Sequence, residues 1–250
     1  MMKVMKVNGD PQGHELLDYY MGRPSFEVFE RDDGFVGAVI GAHEYFSTYR
    51  EWKAHEKAAI KYANGKCLDA GCGAGRVALY LQSRGMDVIA IDSSPLAIKV
   101  CRARGVKKAR VMQIEKADAL GRNRFDTIIM FGIGFALLQN LRKAKSILGT
   151  MKRITKPHGR IIIESKDPYI TENPVHFAYH KMNKKRGRLP GQLRQRIRFL
   201  QYSSPWIDLL YASKKEVREI LSGTGWKVTK FMDSKNFKRD GRFITIIEKT

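Results

Sequence analysis

Hydrophobic and polar positions alternate in two distinct rhythms along the chain. Phe26-Glu27-Val28-Phe29-Glu30 reads as a half-buried strand, Asp33-Gly34 as a hairpin turn, and Phe35 to Ile40 as the returning strand. A short helical pattern, His14 to Met21, precedes them, and Tyr45 to Tyr62 suits one amphipathic helix or two, stopped by Asn64-Gly65. From there strands and helices alternate. Strands are predicted at 66–70, 88–91, 110–114, 125–130 and 160–164, and helices at 76–84, 95–104 and 141–154. Strands separated by helices of this length are parallel βαβ units. Regularity breaks between Lys166 and Tyr211. It resumes with Ser213 as N-cap of a helix over 214–221, a strand at 226–232, a turn at Arg239-Asp240-Gly241 and a last strand at 243–248.

The expected fold is α/β: a doubly wound, mostly parallel seven-stranded sheet with a C-terminal antiparallel strand, an N-terminal hairpin and helical extension, and an inserted lid. The expected division is an extension over 1–60 and a main domain over 61–250 that carries an insertion at 166–211. The 250 residues suffice for this, and 43% are hydrophobic, an ordinary globular share. No apolar run approaches the length of a membrane span, and the first seven residues are too interrupted for a signal peptide, so a cytoplasmic location without membrane contact is expected. Cys67, Cys72 and Cys101 have neither disulfide-like nor zinc-like spacing, which leaves reduced thiols. The net charge of +21 attracts anions, whether nucleic acid or small acids.

Gly71-Cys72-Gly73-Ala74-Gly75 follows a buried strand and opens a helix, so backbone N–H groups face a ligand there. The spacing is G-x-G-x-G, not the G-x-G-x-x-G of dinucleotide binders. Asp92, ending the second strand, is placed to accept ribose hydroxyls. Asp69, just before the loop, would repel a pyrophosphate but suits an ammonium group.

Leu68-Asp69-Ala70-Gly71-Cys72-Gly73-Ala74-Gly75-Arg76 resembles the first motif of the class I, Rossmann-like S-adenosylmethionine-dependent methyltransferases, and Ala90-Ile91-Asp92-Ser93-Ser94-Pro95 resembles the second. Phe125 to Met130 is similar to the fourth, and Lys156-Pro157-His158-Gly159 with Arg160 to Ile163 to the fifth. The likeness covers roughly residues 60–165 and 211–248 and is greatest to small-molecule-type prokaryotic members. It implies S-adenosylmethionine as cofactor. Gly71, Cys72, Gly73 and Gly75 would lie by the methionine part, Asp92 and Ser93 by the ribose, Ile114 and Glu115 by the adenine, and Met130 and Phe131 near the reactive methyl group. The family often has Gly-Asp-Ala where this chain has Ile114-Glu115-Lys116, so Asp118 is a competing adenine carboxylate.

The acceptor should lie beyond the carboxyl ends of the strands. A general base is needed only for a poor nucleophile such as a hydroxyl, and Glu164, Asp167 and His180 are the candidates. Tyr169 is a candidate for orienting the acceptor. His176 and His180 have a chelating i,i+4 spacing without an evident third ligand, so no metal is expected. Residues 181–198 hold eight basic residues and no acidic one; on a strand Arg194, Arg196 and Arg198 share one face and could grip an anionic acceptor or RNA. The favoured reading is methyl transfer to a small, anionic molecule. The alternatives are an RNA methyltransferase using 181–198 and a non-catalytic binder on the same fold.

Overall fold

The structure, a computed structural model, describes residues 9–38 and 41–250. The strands are β1 (Val28–Arg31), β2 (Val36–Ala38), β3 (Cys67–Ala70), β4 (Val88–Asp92), β5 (Ala109–Val111), β6 (Phe125–Met130), β7 (Thr155–Lys166), β8 (Gln192–Phe199), β9 (Tyr202–Ser203), β10 (Ile207–Leu210), β11 (Trp226–Asp233) and β12 (Arg242–Lys249). The helices are α1 (Pro11–Tyr20), α2 (His43–Phe46), α3 (Ala54–Ala59), α4 (Arg76–Ser83), α5 (Pro95–Ala103), α6 (Leu141–Ile154), α7 (Pro174–Lys185), α8 (Lys214–Leu221) and α9 (Phe237–Asp240).

Seven strands form the main sheet in the order β11-β12-β7-β6-β3-β4-β5. The pairs β7–β6, β6–β3, β3–β4 and β4–β5 are parallel, and β12 runs antiparallel to both neighbours. Helices cover both faces, so the inner strands are apolar on both sides. Ile161, Ile162 and Ile163 in β7 and Ile128, Ile129 and Met130 in β6 are all buried. One core layer joins these strands to α6 and α8, and a second joins them to α3, α4 and α5.

Local chemistry sets the helix ends. The Asn140, Ser94 and Ser213 side chains accept from Lys143, Ala97 and Glu216 N–H groups at the starts of α6, α5 and α8. Two expectations needed correction here. The turn at Pro157-His158-Gly159 does not precede β7 but lies within it: Thr155 pairs with Phe125 and Arg160 with Thr127, and the extra residues are absorbed between them. The third strand stops at Val111, because Ile114 to Leu120 winds into a 3-10 helix.

The span 45–62 breaks into α2, α3 and a terminal 3-10 turn, since the Glu51 carboxylate accepts from both the Thr48 backbone and hydroxyl and folds a turn between them. Of the strand expected over 35–40, residues 36–38 form β2 and residues 39–40 lie outside the described ones.

The largest departure concerns 166–211, which is regular after all. It contains α7, β8, β9 and β10, and β8 pairs with β1 on one edge and β10 on the other. With β2 and β9 these make a second, five-stranded antiparallel sheet, order β10-β8-β1-β2. The N-terminal hairpin and the insertion are thus one layer, and α1 packs against both α5 and β8.

Where α1 meets the start of β1, Glu15 and Glu27 are buried together. Burial raises both carboxyls above their ordinary range, and in Glu27 the charge of Glu15 adds to it. A folded carboxyl with a raised pKa holds a proton that the unfolded chain releases, so its penalty grows as pH rises above the ordinary carboxylate value. Glu27→Gln should therefore raise the melting temperature by roughly 3 °C or more at pH 8, with the gap closing toward pH 5. Melting curves at both pH values check it, and a larger gain at pH 5 would contradict a raised carboxyl at Glu27.

Candidate active site

The glycine loop joins β3 to α4. Gly73 has φ +51° and its N–H donates to Asp92 Oδ2 at 2.9 Å; a Cβ there would meet the Tyr45 ring at 2.7 Å. Only glycine accepts both the left-handed backbone and that close approach. Asp92 ends β4, and its Oδ1 accepts from Ser94 N–H at 2.9 Å. Burial raises its carboxyl, and these two N–H groups oppose the shift. Ser94 Oγ donates to Asp10 Oδ2 at 2.6 Å, which ties this corner to α1.

Asp69, 2% exposed, accepts from Ala78 N–H at 3.0 Å. Burial pushes it up to about 7, so a cation placed beside it is favoured.

Around this loop opens a cavity of about 930 Å³ that reaches from the carboxyl ends of the main sheet to the second sheet. Asp69, Gly71, Cys72, Gly73, Asp92, Ser93, Ile114, Glu115 and Phe131 line it, so the structure brings together most of the residues expected to hold the cofactor. Tyr45, Gln113, Leu137 and Gln139 also line it, and no motif pointed to them. The Glu115 carboxylate accepts from Gln139 Nε2 at 2.7 Å.

Three expected neighbours of the cofactor lie elsewhere. Gly75 does not line the cavity; a Cβ on it would meet Cys101 Sγ at 2.7 Å, so it serves the packing of α4 on α5. Met130 is buried in the core beneath Gly134. Asp118 faces outward and pairs with Arg153 at 2.6 Å.

At the opposite end the lining includes Lys166, His176, His180, Tyr211, Arg239 and Arg242. His180, a candidate base, thus lines the cavity, and His176 stands one helical turn before it on α7. Burial lowers both imidazole pKa values, with the neighbouring Arg31 cation adding to it. Among the described residues no group of three or more His, Cys, Asp or Glu side chains could hold a metal.

The other acceptor-side expectations are corrected. Glu164 is fully buried and does not line the cavity. Its Oε1 meets His55 Nε2 at 3.1 Å, and its Oε2 accepts from Ile133 N–H at 2.9 Å. Burial opposes its charge, but the His55 hydrogen bond and Arg242 hold it at about 2, too weak a base for the role. Asp167 closes a turn, accepting from Tyr169 N–H, and Tyr169 donates its hydroxyl to Glu216; neither lines the cavity.

The arginine row is on a strand as expected, but on its outer face. Leu193, Gln195 and Ile197 of β8 line the cavity, while Arg194 pairs with Asp208 and both Arg196 and Arg198 with Glu30. Side chains alternate across a strand, so one face cannot do both.

A family model described as a methyltransferase domain matches residues 68–163. A ubiquinone biosynthesis O-methyltransferase of Xanthomonas oryzae pv. oryzae is 26% identical over 126 residues, 48% of this chain and 49% of that protein. This chain therefore aligns with about half the length of the curated relatives it matches.

A SAM-dependent methyltransferase from Bacteroides fragilis, solved with S-adenosyl-L-homocysteine, superposes with TM-score 0.82 at 23% identity over 98% of this chain and 97% of that one. Another, from Methanosarcina mazei, has TM-score 0.60 at 17% identity over 77% and 96%. These two are likenesses of fold. Residues 68–163 thus match a methyltransferase domain, and the glycine loop, the buried Asp69 and Asp92 and the sheet order make the chain similar to the class I, Rossmann-like S-adenosylmethionine-dependent methyltransferases.

Proposed function

We propose that this chain moves the methyl group of S-adenosylmethionine to a hydroxyl oxygen of a small, anionic acceptor enclosed between the two sheets. The observation that carries this reading is the single cavity joining the glycine loop to an end lined by histidines and cations. The residues fit the cofactor: Asp69 for its ammonium group, Asp92 with Ser93 for its ribose, and Ile114 and Glu115 for its base. The cofactor brings a methyl group on an activated sulfonium. The chain has to bind, orient and exclude water. His180, kept neutral, takes the proton of the attacking hydroxyl, and His176 is oriented by Thr171 Oγ1 at 3.1 Å from its Nδ1. The second sheet acts as the lid.

An oxygen acceptor is also the chemistry in the names of the curated relatives. The RNA reading of residues 181–198 loses its arginine row, since Arg186, Arg194, Arg196 and Arg198 are each paired with a carboxylate. Among the described residues no helix is long and apolar enough to cross a membrane.

The test is calorimetry with S-adenosylhomocysteine, followed by methyl-labelled S-adenosylmethionine and a panel of hydroxylated aromatic and aliphatic acids. Binding is expected, with label on an acid and not on its neutral ester. A wild-type chain that binds neither cofactor form overturns the reading.

A further inference from the structure

Some of the cations that line the cavity are already matched. Arg31 holds Asp33 through two bonds of 2.8 and 2.7 Å, and Arg76 holds Glu56. Lys166, Lys238, Arg239 and Arg242 are not matched in this way; Lys238 and Arg239 are exposed, whereas Lys166 and Arg242 are half-buried. Lys166 ends β7, and Arg242 begins β12 directly opposite it in the antiparallel register, so the two side chains share one face and both line the cavity. Like charges directly opposite on neighbouring strands repel. Among the described residues no carboxylate lies within 4.0 Å of Lys166 Nζ. Arg242 has only distant ones, Glu164 at 3.8 Å and Glu44 at 3.9 Å. Glu164 is already engaged by His55 and Ile133 N–H, and Glu44 by Lys53.

Arg239, exposed on α9, adds a further cation to the lining; Asp240 is the acid whose charge reaches Lys166, from beyond 4.0 Å, and its carboxylate is already engaged by Ser234 Oγ and the Arg242 N–H. Half-burying two like charges side by side costs free energy unless an anion joins them. The Lys166 ammonium is a point donor and the Arg242 guanidinium a planar fork, a pair suited to a small oxyanion.

We propose that Lys166 and Arg242 form an oxyanion clamp that holds a carboxylate or phosphate group of the acceptor. Calling the ligand the acceptor rests on the methyl-transfer reading; the clamp itself rests on the cross-strand geometry. The clamp lies on the main sheet while His176 and His180 come from α7, so an acceptor held by its anion has the two imidazoles at the same end of the cavity.

The experiment titrates the full chain with benzoate, benzamide and inorganic phosphate, with and without saturating S-adenosylhomocysteine, by calorimetry and thermal melting. Benzoate, phosphate or both should bind, and benzamide should not. Preference between the two anions assigns the group. Lys166→Met should weaken anion binding about tenfold or more, because a charge-assisted contact is lost. Lys166→Arg should retain most of it, and Lys184→Met, on the exposed face of α7, should change nothing. Arg242→Lys serves as the second variant, since Arg242→Met also disturbs Glu164.

Equal binding of benzoate and benzamide, absence of binding by both anions, or equal loss in the Lys166 and Lys184 variants overturns the clamp. Anion binding through Lys166 in a chain that ignores S-adenosylhomocysteine would keep the clamp and sink the methyl-transfer reading. Cofactor binding without anion discrimination would do the reverse.

Discussion

Asp92→Ala should lower the affinity for S-adenosylhomocysteine at least about a hundredfold, because three kinds of hydrogen bond fail together. The carboxylate organises the glycine loop through Gly73 N–H and the start of α5 through Ser94 N–H, each at 2.9 Å. Each oxygen keeps a second lone pair for a ribose hydroxyl. Removing it leaves two buried donors without an acceptor, at about 1–3 kcal/mol each, before any ligand contact is counted. Asp92→Asn keeps one acceptor oxygen but turns an amide toward the other N–H, so an intermediate loss of about tenfold is expected. Calorimetry on both variants, with melting curves to verify folding, separates the outcomes. If Asp92→Ala binds within threefold of wild type, the loop is not the cofactor site.

Glu164→Ala should destabilise the fold severely and displace the loop that faces the cofactor. Glu164 is buried yet ionised, and its Oε2 holds the N–H of Ile133, which sits at φ +62°. A β-branched residue in the left-handed region costs about 1–2 kcal/mol, so the conformation persists only because the carboxylate pins it.

The folded pKa of about 2 lies below the ordinary 4.5, so the stabilisation from this group is complete above the unfolded value and fades as pH falls from there through 2. That shift corresponds to something on the order of 3 kcal/mol. Cutting the interaction strands His55 and the Ile133 N–H, and a loss of about 3–5 kcal/mol, or roughly 10 °C in melting temperature, is expected at pH 7. Adding Ile133→Gly, which tolerates the backbone angle, should return part of the loss. Should the double variant melt lower still, strain at Ile133 is not what the carboxylate restrains. Wild type and Glu164→Ala should also converge in stability as pH drops toward 2.

Local signals made much of this fold legible. The start of α8 follows from Ser213 as its cap, and the spans of α6 and β6 from their apolar positions. The glycines with Asp69 and Asp92 mark one corner because chain neighbours build it.

The acceptor end is assembled from distant segments, and there the sequence was silent or misleading. The alternation of Arg194, Arg196 and Arg198 was correct, but which face looks inward is decided by β1 and β10 packing on either side. Glu164 has the sequence signature of a strand-end base, and only His55, 109 residues earlier, and the N–H of Ile133 reveal an anchor. Lys166 and Arg242 carry no motif at all; their meeting depends on the register of β7 with β12.

The second sheet also has a bearing on solubility. Its central strand, β8, is covered on one edge by β1, and across that seam Arg196 reaches Glu30 from 166 residues away. The open edge of that half of the sheet is β2, only three residues long. Short edge strands offer little template for pairing with another chain. A chain shortened past residue 38 would lose both and bare the ladder edge of β8, so the hairpin that lines the cavity also guards the protein against assembling edge to edge with its own copies.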